Sequence, residues 1–163
     1  MSLSKLLAIM MEYYSDVRFS EHSVKCYTYA WGIGDGEALS ADDMLILGAS
    51  AILHDVGIPK AVELYGSGKA EYQEKEGAKL VPGFLEKAAL PGHITERVTW
   101  LVGHHHTHEL AGSDIILQIL MEADYLVNLA EGKASVEKIA EVKNGFFKTV
   151  TGKLYAEALF ANL

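Results

Sequence analysis

Four side chains combine metal-ligand chemistry with positions where a solvated polar group is not expected: His22, His54, Asp55 and Asp124. Asp124 is the clearest case. Between Asp114 and Leu129, residues Ile116, Leu120, Ala123 and Val127 share one apolar helical face, and Asp124, eight residues after Ile116, falls on it too. A carboxylate turned toward a core costs several kcal/mol unless a cation or donors meet it. A helix terminus, a buried arginine or a functional cation would each satisfy it. Gln118 and Glu122 fall on another, polar face of the same helix.

His54-Asp55 follows Ala49, Ala51, Ile52 and Leu53, at the end of a helix stopped by Gly57 and Pro59. Helix neighbours point ~100° apart, so the pair meets one target only if the last turn loosens, which Gly57 permits. The helix dipole favours a histidine there but opposes an aspartate. A bound cation removes that conflict. His22 shares a stripe with Cys26 and Tyr29 and, taken alone, reads as a core histidine rather than a ligand. Together the four offer a nitrogen and oxygen set that suits Mn, Fe, Co, Ni or Zn better than Ca. Such a cation lowers the pKa of a bound water and supplies hydroxide near neutral pH.

In the run from Gly103 to Glu109, His104 is expected to point inward from the stripe Val98-Leu101, while His106 and His108, with His93, read as bystanders. The run lacks the His-Glu-x-x-His spacing of a zinc protease. Arg18, one turn before His22, and Lys60 are candidate phosphate contacts or plain surface cations.

As an ordered set, Arg18-Phe19-Ser20-Glu21-His22-Ser23, Leu53-His54-Asp55-Val56-Gly57 and Glu122-Ala123-Asp124-Tyr125-Leu126 resemble the HD-domain superfamily of metal-dependent phosphohydrolases. The resemblance implies one all-α HD domain, a helical bundle of six to eight helices, over residues 1–163. It implies a divalent cation (Mn, Fe, Co, Ni, Zn or Mg) held by His22, His54, Asp55 and Asp124, with Asp55 also orienting water. His104 and His105 resemble the paired histidines of binuclear members and are expected as extra ligands or phosphate contacts. Gln73, however, stands where the family often has a further ligand histidine, so one tight site is expected rather than two. The implied activity is hydrolysis of a phosphate ester, a nucleotide or related small molecule. A non-catalytic nucleotide sensor and a di-iron oxygenase are the alternatives. Gly57-Ile58-Pro59 replaces the glutamate that some nucleotidase and guanosine-tetraphosphate hydrolase members carry after His-Asp, so those activities do not transfer.

The elements that must position these residues are helical. A helix is expected over Ser4–Tyr14, a second capped by Ser20, and a third capped by Ser40 and running to Leu53. Another runs from about Lys69 to a kink or restart at Pro82, and Pro91-Gly92 is a break. Asp114 opens the helix of Asp124, and Ser135 caps a final interrupted region to Phe160. No alternating strand pattern of useful length occurs.

Composition narrows the partners. The chain has 163 residues, half of them apolar, and a net charge of −8. This fits a globular domain and argues against a nucleic-acid groove or an anionic membrane surface. Cys26 is the only cysteine, which excludes internal disulfides and thiolate zinc clusters and points to a reducing, cytoplasmic setting. The longest apolar stretch, Met44 to Leu53, is half of the ~20 residues a spanning helix needs.

Overall fold

Side-chain caps set most helix starts in the computed structural model, which describes residues 2–132 and 134–161. The order is α1 (Leu3–Tyr13), α2 (Val17–Gly36), α3 (Ala41–Leu53), α4 (Ile58–Tyr65), α5 (Ala70–Lys87), a 3-10 turn (Gly92–Ile94), α6 (Thr95–Val102), α7 (His108–Ala111), α8 (Ile115–Ala130), α9 (Val136–Gly145) and α10 (Val150–Leu159). The described residues contain no strand. The fold is all-α, with ten α-helices among the described residues rather than six to eight. The short α4 and four-residue α7 leave little periodic signal, and Thr149 caps α10 separately from α9.

Ser40 accepts a hydrogen bond from the Asp43 N–H, and Asp114 accepts from those of Ile116 and Leu117, so α3 and α8 begin where expected. Ser20 is not a cap. Asp16 accepts from the Arg18 N–H, α2 starts at Val17, and Ser20 is buried within it. Pro82 does not interrupt α5. Its ring and Gly83 lie on the exposed face, where the Ala78 carbonyl left without its helical donor can reach water.

α2 packs against both α3 and α8, and α5 against α4 and α6. α3 is buried from Ile46 to Leu53, and Leu101, Leu117 and Ile119 fill the core beside it. No single helix among the described residues is long and apolar enough to cross a membrane.

Two close packings hold the site in place. A Cβ on Gly57 would sit 2.0 Å from the Gln73 carbonyl oxygen and 2.5 Å from the Gly77 nitrogen. The turn after His54-Asp55 thus lies directly on the α5 backbone. Gly57 has an ordinary helical φ of −74°, so its role is close approach rather than loosening of the turn. On α8, Gln118 and Glu122 do not form a polar face. Both are buried, and Glu122 accepts hydrogen bonds from Gln118 Nε2, the Lys148 and Thr149 N–H groups and the Thr149 hydroxyl. This carboxylate meets the N-terminus of α10, where the dipole favours it.

Candidate metal centre

Three helices converge on one point. α2 supplies His22, the end of α3 supplies His54 with Asp55 in the following turn, and α8 supplies Asp124. His22 Nε2 lies 3.0 Å from Asp124 Oδ1, 3.3 Å from His54 Nε2 and 3.4 Å from Asp55 Oδ2. His54 Nε2 lies 3.3 Å from Asp55 Oδ2 and 3.6 Å from Asp124 Oδ1. Loss of regular helix after Leu53 is what lets adjacent His54 and Asp55 face the same point.

Second contacts orient these groups. His54 Nδ1 donates to the Ala51 carbonyl at 2.9 Å, which leaves Nε2 free to act as a ligand. Asn128 Nδ2 donates to Asp124 Oδ1 at 2.8 Å. Burial disfavours charge on His22, but the hydrogen bond to Asp124 and contact with Cys26 outweigh it and push its pKa up to about 10. Burial of His54 is likewise overcome, chiefly by the Asp55 charge, and its pKa is raised. Burial would raise both carboxylates, yet His54 lowers Asp55, and hydrogen bonds from His22 and His54 lower Asp124. Without a cation, the two carboxylates favour the protonated form of both imidazoles. Two protons are what a divalent cation would replace.

A second donor set adjoins the first. His105 Nε2 lies 3.6 Å from Asp55 Oδ1, and donor atoms of Asp55, His105 and His106 lie within 4.8 Å of one another. His105 Nδ1 donates to the Val102 carbonyl at 2.7 Å, the same orienting contact as in His54. The buried Nε2 atoms of His105 and His106 have no hydrogen-bond partner. Burial and neighbouring His105 depress the His106 pKa to about 4, so its ring is neutral and able to ligate at pH 7. These orphaned nitrogens and the paired oxygens fit a divalent cation.

The remaining expected residues divide. His104 is not at the centre: it stacks on Trp100 at 4.6 Å and donates to the Trp100 carbonyl. α6 ends at Val102, and the turn over residues 103–106 carries His105 and His106 inward instead. His106, read from sequence as a bystander, lines the cavity. Arg18 lies at the mouth, bonded to Asp16. Lys60 is on α4, paired with Glu63 at 3.0 Å, and does not line the cavity. Gln73 is buried at the wall, with Nε2 donating to the Gly68 carbonyl. The cavity, about 590 Å³, suits a small molecule.

An all-helical bundle that gathers His, His-Asp and Asp from neighbouring helices has the frame of a divalent-metal site. The HD domain model matches residues 19–129, most of the chain and all four of these residues, and the chain belongs to the HD-domain family. Among solved structures, a crystal structure described as a predicted HD superfamily hydrolase from an uncultured Thermotogales bacterium superposes with a TM-score of 0.69 at 21% identity. The superposition covers 97% of this chain and 84% of that one, and at this identity it speaks for the fold. No curated protein sequence matches the chain.

Proposed function

We propose that this protein is a cytoplasmic metal-dependent phosphohydrolase acting on a small phosphate ester, a nucleotide or related molecule. The observation that carries the reading is the convergence of His22 Nε2, His54 Nε2, Asp55 Oδ2 and Asp124 Oδ1 at the floor of a small-molecule cavity. A divalent cation held by these residues would supply Lewis acidity and lower the pKa of a bound water toward ~7.

The chain's own groups do the rest. Asp55 orients the attacking water. Asn128 fixes the rotamer of Asp124. Arg18 meets phosphate charge at the mouth by exchanging its Asp16 partner for the substrate. Lys60 serves no substrate in this reading, because α4 directs it to Glu63.

A second cation is favoured by one specific contact. Asp55 turns Oδ2 toward His22 and His54 and Oδ1 toward His105, and so stands between the two donor sets. Metal content should therefore be measured beside a screen of phosphomonoesters, cyclic nucleotides and nucleoside phosphates. Metal-dependent phosphate release supports the proposal, and one against two ions per chain decides the occupancy. Asp124→Ala should lose metal and activity while keeping its helical circular dichroism; full metal occupancy in that variant would overturn the assignment. Nucleotide binding without turnover would make the domain a sensor, and two irons without phosphate release an oxygenase.

A further inference from the structure

Cys26 has no part in the phosphate-ester chemistry proposed above. It follows His22 by one turn on α2, so both side chains leave the same face of that helix. It is fully buried, yet its sulfur faces polar atoms. Sγ lies 3.4 Å from His22 Nε2 and 3.8 Å from Asp124 Oδ1. A structural cysteine behaves as a small hydrophobe and packs on carbon. Here the thiol adjoins the two groups that would hold the cation.

Donor atoms of His22, Cys26, His54 and Asp124 all lie within 4.8 Å of one another, while Asp55 groups with His105 and His106. Two nitrogens, one sulfur and one oxygen are all donors that a zinc-like ion takes, and a five- or six-coordinate ion still has room for Asp55 and water. The buried His105 Nε2, without a hydrogen-bond partner beside Asp55, is independent support that the neighbouring space takes a cation.

We infer that Cys26 supplies a thiolate ligand to the cation held by His22, His54 and Asp124, biasing the centre toward softer divalent ions such as Zn, Co or Fe over Mg. The inference rests on the metal-dependent reading of the site. Coordination replaces the S–H proton by the metal; the proton passes to solvent, and no electron is transferred. Asp55 keeps Oδ2 at this cation and Oδ1 toward the second donor set, so Cys26 adds to the ligand set rather than replacing the carboxylate.

The test is the near-ultraviolet spectrum of the full chain loaded with Co(II). Cys26 is the chain's only cysteine, so a thiolate-to-cobalt charge-transfer band can come from no other residue. The band is expected in the wild type and lost in Cys26→Ser, which retains the weaker visible cobalt bands. The preference for Zn over Mg should fall about tenfold or more in that variant. Cobalt bound without a charge-transfer band overturns the thiolate but leaves the phosphohydrolase reading intact. No cobalt binding at all overturns both. Should Cys26→Ser fail to fold, the wild-type spectrum decides alone.

Discussion

Loading the centre at neutral pH should release about three protons per chain, one each from His22, His54 and the Cys26 thiol, and about two from Cys26→Ser. The neighbouring carboxylates hold both rings protonated in the metal-free state, and a ring must be neutral to ligate. His22, with a pKa of about 10, sits three units above pH 7, so stripping its proton costs about 4 kcal/mol. Apparent affinity should accordingly rise about a thousandfold between pH 7 and pH 10 from His22 alone, and more steeply with His54 included. Titration calorimetry with zinc at pH 7, in weakly chelating buffers of different ionisation enthalpy, reads the proton count as a slope. Repeating it on Cys26→Ser separates histidine protons from a thiol proton. A binding heat independent of buffer would refute the reasoning, because it would mean the imidazoles are already neutral.

The metal-free fold should lose stability as pH rises. His22 has a higher pKa folded than its unfolded value of about 6.5, so its contribution is full below about 6.5 and lost toward about 10. Asp55 and Asp124, lowered by folding, contribute above about 3.9 and lose that contribution as pH falls further. His106 has the opposite sense to His22 and removes stability as pH falls from about 6.5 toward 4. Melting in chelator should therefore peak near about pH 6.5, and a midpoint climbing steadily from pH 7 to 10 would contradict this. Asn128→Ala should weaken metal binding by about 10- to 100-fold, since Asp124 loses its orienting donor; equilibrium dialysis showing wild-type affinity would count against that role. Gly57→Ala should cost about 3 kcal/mol in denaturant unfolding, because the added methyl meets α5 backbone that cannot move aside; an unchanged midpoint would show that the turn has room.

Local signals were readable wherever one short-range interaction decides. Ser40 and Asp114 cap their helices through side chains three residues or fewer away, and Asp124 stood out because a carboxylate broke an apolar stripe. Ser20 misled because Asp16, an equally good cap four residues earlier, wins once the buried side of α2 needs the extra turn. The polar face assigned to Gln118 and Glu122 vanished because their partners come from residues 146–149, the Phe146 carbonyl accepting from Gln118 and the Lys148 and Thr149 N–H groups donating to Glu122, a pairing no local pattern reveals. His104 was placed inward by extrapolating a helix through Gly103, but the helix stops at Val102 and the next residues rotate. His106 would have needed that same turn geometry. The one-turn spacing of Cys26 from His22 was legible, but in sequence it reads only as part of a buried stripe.

Glu122 links two parts of the chain that the family match separates. It lies inside the matched residues 19–129, two positions before Asp124, yet three of its four donors belong to Lys148 and Thr149. A chain cut at Leu129 would strip those donors from a carboxylate on the helix that carries Asp124. Left charged and unanswered, Glu122 would have to draw water into the bundle, take up a proton or turn α8, and the last would move Asp124 with it. The C-terminal helix is thus a lock on the register of the centre, and the smallest piece able to keep its geometry extends past the shared family core.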